Sequence, residues 1–78
     1  MAKDISLIDL KIGQKAKIIN IAGGRIATKR LLDLGLTPNT EIKILRRAPF
    51  LGPLQIKVRG SKIILGRGLA AKITVTTE

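Results

Sequence analysis

The stretch "RLLDLGLTPNTEIKIL", residues 30–45, passes from a helical pattern through a turn into an alternating one within sixteen residues. Read outward, it decides the fold. Residues 25–34, "RIATKRLLDL", form the one good helix candidate, and Gly35 supplies the left-handed stop that favours a helix end. At about 100° per residue, Ala27, Leu31 and Leu34 share an inward face with Ile26 on its flank. Leu31 and Leu34 are therefore expected to anchor the helix. Leu32 projects instead among Arg25, Thr28 and Lys29, on the polar side.

"TPNT" at 37–40 predicts a turn, with Pro38 holding its φ and Asn39 tolerating a left-handed conformation. "EIKILRR" then alternates Ile42 and Ile44 against Glu41 and Lys43, as a half-buried strand does. Prolines and a glycine make "APFLGP", 48–53, a loop, and "LQIKVRG" gives the cleanest strand, with Leu54, Ile56 and Val58 inward. Gly60-Ser61 turns the chain into "KIIL", and "KITVT" at 72–76 closes it.

Upstream, "ISLIDLKIGQ" has no clean period and reads as an irregular lead-in ending at Gly13. Residues 14–22 begin as a strand with Lys15 and Lys17 opposite Ala16 and Ile18, until Ile19 and Ile21 break the alternation. Either that end is covered on both faces or a bulge re-aims it. Gly23-Gly24 ends the segment. Short strands, one short helix and frequent turns predict a mainly β fold, a small and strongly bent sheet or barrel.

The chain has 78 residues, 45% of them apolar, which suits a single folded domain over 1–78 with a thin core. Cysteine and histidine are absent, which excludes a disulfide framework and the usual transition-metal ligands. The five carboxylates, Asp4, Asp9, Asp33, Glu41 and Glu78, are scattered, so neither paired acid–base chemistry nor a metal cage is indicated. No catalytic residue, cofactor or metal site is expected. "GRGLAA", 66–71, matches a dinucleotide fingerprint, yet only seven residues follow it where about 20 are needed to reach the acidic ribose ligand. Its glycines are expected to permit a tight bend before the last strand.

The amino-terminal "MAKDISLIDL" lacks the apolar core of a signal peptide, and no run approaches a membrane span. A cytoplasmic location is the expectation. Fifteen Lys and Arg against five Asp and Glu give a formal charge of +10, which points to a negative partner. Lys15, Lys17, Lys43, Arg46, Arg47, Lys57, Arg59, Lys62 and Arg67 flank the apolar strands. Phe50 is the lone aromatic, which disfavours base stacking on single strands but leaves phosphate contacts open.

The ordered set Gly23-Gly24, Arg30-Leu31, Leu34-Gly35-Leu36 with Pro38, Ala48-Pro49, Gly52-Pro53 and Gly60 resembles the FeoA family, ferrous iron transport protein A, over almost the whole chain. Asn39 stands where that family commonly has Gly, and Gly66 and Gly68 stand where a polar helical turn is expected. The resemblance implies a small SH3-like β-barrel with one short helix inserted after the first long strand. It also implies a non-catalytic cytoplasmic accessory protein of bacterial ferrous iron uptake, peripheral to the membrane, that binds and modulates the FeoB membrane GTPase permease. The candidate partner-binding residues are Leu32 with Arg25 and Lys29, and Arg46 with Arg47. A small basic barrel that binds nucleic acid through phosphates is the alternative. Self-association through the edges of "KIIL" and "KITVT" is a further expectation.

Overall fold

The structure is a computed structural model and describes residues 3–77; Glu78, one of the five carboxylates, lies outside the described residues. Its elements are β1 (Lys3–Ser6), a 3-10 turn (Leu7–Asp9), β2 (Lys15–Ile21), α1 (Arg25–Asp33), β3 (Glu41–Arg47), β4 (Leu54–Val58), β5 (Ser61–Leu65), α2 (Arg67–Ala70) and β6 (Ile73–Thr77). All six strands join one antiparallel sheet in the order β1-β6-β2-β3-β4-β5.

Alternation in the strands builds the core. Ala16 and Ile18, Ile42 and Ile44, Leu54, Ile56 and Val58, and Ile73 and Val75 are buried in one cluster, joined by Leu7, Leu10, Leu31, Leu36, Leu65 and Ala70. Two register shifts bend the sheet around this cluster. One falls between Ile18 and Asn20 on β2, the other between Ile44 and Arg46 on β3. The first resolves the broken alternation of residues 14–22: an extra residue at Ile19 re-aims the strand, as a bulge does.

Three expectations need correction. The lead-in is not wholly irregular, because Lys3–Ser6 pairs with β6 and sets Ile5 opposite Val75. Four residues are too few to show a period. "KITVT" is not an edge, since β6 lies between β1 and β2; of the two proposed edges only β5 is one. The glycines of "GRGLAA" permit one turn of helix rather than a bend, with Gly66 as its N-cap and Ala70 fully buried.

The helix end carries a fourth correction. Leu34 is 43% exposed and caps α1, while Leu36, two residues beyond, is fully buried beside Leu31. Gly35 takes φ +87°, the Leu36 amide donates to the Leu31 carbonyl at 2.9 Å, and the Gly35 amide donates to the Leu32 carbonyl at 2.9 Å. This paired closure turns the chain back on itself, so the inward position expected of Leu34 passes to Leu36. The turn that follows is as predicted. Asn39 has φ +71°, the Thr40 amide donates to the Thr37 carbonyl at 3.2 Å, and the turn is tied to β2 through Asn39 N to Ile18 O and Ile18 N to Thr40 O.

Candidate functional site

The sheet register assembles a feature that no local pattern announces. Lys15 of β2 stands opposite Lys43 of β3, Lys43 opposite Lys57 of β4, and Lys57 opposite Lys62 of β5. Four lysines from four strands thus form one cross-strand row. With strands about 4.8 Å apart, the row is about 14 Å wide at the backbone. It faces away from the core, because each lysine neighbours an inward residue such as Ala16, Ile42, Ile56 or Ile63. Like charges directly opposite one another are destabilising, so folding alone does not favour this arrangement. Lys15, Lys43 and Lys57, with Arg59, also line a concavity of about 660 Å³ that Glu41 shares.

The next row along the same strands is Arg46, Gln55 and Ile64, in register across β3, β4 and β5. Ile64 is 72% exposed. Beyond it the β3–β4 hairpin closes: the Ala48 amide donates to the Pro53 carbonyl at 3.0 Å and the Gly52 amide to the Pro49 carbonyl at 3.2 Å. Phe50 and Leu51 between them have φ +58° and +61°. Two successive left-handed residues make a type I′ turn, whose usual occupants are Asn and Gly. Left-handed backbone costs a residue with a Cβ about 1–2 kcal/mol. Phe50 is 99% and Leu51 74% exposed, so neither recovers that cost by packing in the core. Gly52 completes the turn, as a Cβ there would lie 2.7 Å from the Ala48 Cβ.

The five candidate partner-binding residues occupy two surfaces. Arg25, Lys29 and Leu32 are exposed on α1, as the helical wheel requires. Arg46 and Arg47 end β3 and line a smaller concavity, about 260 Å³, with Ile64. Leu32 does not line it. The helix residues that do approach Ile64, across another hollow, are Arg30, Asp33 and Leu34. Sequence reading missed Ile64 and the pairing of the lysines. The composition of "APFLGP" did hold a signal, two large apolar residues where a turn takes polar ones. Among the described residues no cluster of His, Cys, Asp or Glu could hold a metal ion, and no helix is long and apolar enough to cross a membrane.

A bent antiparallel sheet with one inserted helix and a single-turn helix before its last strand defines an SH3-like β-barrel domain. A FeoA from Stenotrophomonas maltophilia, described as a procaryotic SH3 domain protein, shares this fold with a TM-score of 0.78 at 20% identity, over 91% of this chain and 88% of that one. The chain belongs to the FeoA family, whose model, the FeoA domain, matches residues 5–77. It is 37% identical over 65 residues to the putative Fe(2+) transport protein A of Methanocaldococcus jannaschii, covering 83% of this chain and 77% of that protein. A crystal structure of an iron uptake regulatory protein (FeoA) superposes with a TM-score of 0.87 at 36% identity, over 94% of this chain and 96% of the other. The chain is also 30% identical over 69 residues to an Fe(2+) transport protein A/Fe(2+) transporter FeoB fusion protein of Porphyromonas gingivalis, a match to 88% of this chain and 8% of that protein. The family is one of Fe(2+) transport.

Proposed function

We propose that this protein is a non-catalytic cytoplasmic accessory of ferrous iron uptake that binds and modulates a FeoB-type membrane GTPase permease. The fusion in Porphyromonas gingivalis carries this reading: a domain 30% identical to this chain is joined there to the Fe(2+) transporter FeoB. Covalent joining places two modules at high effective concentration, which is useful when they also associate as separate chains. The contact assigned to the permease is Leu32 with Arg25 and Lys29, an apolar residue exposed within a basic helix face. Arg46 and Arg47 lie on a different surface. The chain regulates or assembles the transporter and carries no iron of its own.

Recovery of a tagged chain from detergent-solubilised, nuclease-treated host cells tests the reading. The permease co-purifies with the native chain and is lost with Leu32→Asp. If the permease is absent and nucleic acid is recovered once nuclease is omitted, the reading fails. The phosphate-binding alternative then stands, supported by the lysine row. Its signature is affinity that falls linearly in log salt with little sequence preference.

A further inference from the structure

We infer that the lysine row and the Phe50–Leu51 tip together form a docking surface for an anionic lipid bilayer. The row presents Lys15, Lys43, Lys57 and Lys62 side by side on the outer face of β2 to β5. Such an array is repulsive by itself and becomes favourable against a plane of phosphate head groups. Arg46 and the exposed Ile64 continue the same face toward the β3–β4 turn. There two apolar side chains are held out on strained backbone, in a turn that Asn-Gly would close without strain. Backbone strain retained at an exposed position points to a use for the side chains it displays.

The combination selects the occupant. A single strand would need aromatic faces along the basic groove, and a duplex would meet the ammonium groups through its phosphates but leave the apolar tip, Phe50 beside Leu51, in water. An acidic protein surface would meet the lysines and leave the tip in water. A bilayer takes both, with phosphates against the row and the apolar tip sunk among the acyl chains below the head groups. Orientation on the leaflet would leave the separate α1 surface to a protein partner. This inference goes beyond the permease reading, and vesicles free of permease test it alone.

The probe is vesicles of phosphatidylcholine, with and without phosphatidylglycerol, in a sedimentation assay with the full chain. The native chain binds the anionic vesicles and not the neutral ones. Phe50→Asn with Leu51→Gly keeps the turn and lowers partitioning about tenfold or more. Each of Lys43→Ala, Lys57→Ala and Lys62→Ala lowers it about fivefold. Because the chain contains no tryptophan, Phe50→Trp reports the tip directly. Its emission shifts to the blue on anionic vesicles and is quenched by brominated lipid. Equal binding by the Asn-Gly variant, or an unshifted Trp at position 50 on vesicles that do bind, overturns the proposal. So does a blue shift seen only with a permease cytoplasmic domain, or duplex DNA displacing the chain from vesicles at equal phosphate.

Discussion

The amide of Leu36 donates to the carbonyl of Leu31 at 2.9 Å, and both side chains are fully buried in the same cluster. This bond spans the helix end and can form only because Gly35 between them adopts φ +87°. A local backbone choice is thereby coupled to the seating of the helix on the sheet. Gly35→Ala leaves open space around the new Cβ, so its cost is conformational, about 1–2 kcal/mol. Thermal unfolding monitored by circular dichroism shows Tm lowered by about 4–8 °C for each kcal/mol. Leu36→Ala costs more, about 2–5 kcal/mol, because it opens a cavity. Leu34→Ala, at a 43% exposed position, costs less than either.

The hydroxyl of Ser6 is buried with no hydrogen-bond partner, where β1 passes into the 3-10 turn. An unsatisfied buried polar group costs about 1–3 kcal/mol. Ser6→Ala removes the hydroxyl without adding volume and raises the midpoint of urea unfolding at unchanged m-value.

Lys43 stands between Lys15 and Lys57. Lys43→Glu converts two like-charge pairs into two opposite-charge pairs, a gain of about 0.2–1 kcal/mol for each pair formed. The native chain becomes more stable as salt screens the row, and Lys43→Glu lessens that slope. Urea unfolding at low and high sodium chloride measures both.

The exposed leucine of α1 separates stability from binding. Leu32→Asp leaves Tm within about 4 °C, since a surface change away from special features falls within about 0.5 kcal/mol. Permease recovery drops, and Ile26→Asp, at a more exposed position of the same helix, serves as the control that retains it.

The hairpin tip gives the opposite pattern. Phe50→Asn with Leu51→Gly relieves two left-handed apolar residues and supplies the preferred turn pair. Tm rises, by an amount that differential scanning calorimetry resolves. Gly52→Ala instead lowers it, because the added Cβ meets Ala48 at 2.7 Å.

By itself the sequence determined what depends on residues a few positions apart. The helix, expected over 25–34 and found over Arg25–Asp33, with its stop at Gly35, the Pro38-Asn39 turn and the inward set Leu54, Ile56 and Val58 all follow from local sterics and alternation. So does the exposure of Leu32, because a helical wheel is a local construction. Composition likewise set the chain's own formal charge of +10. Tertiary structure alone decided that β6 is covered while β5 is an edge, and that Leu36 rather than Leu34 closes the helix against the core. It alone brought Lys15, Lys43, Lys57 and Lys62 into one row. Register is the reason: two bulges and every turn length must be summed before residues on four strands can be placed opposite one another, and a shift of one residue would send each lysine to the other face.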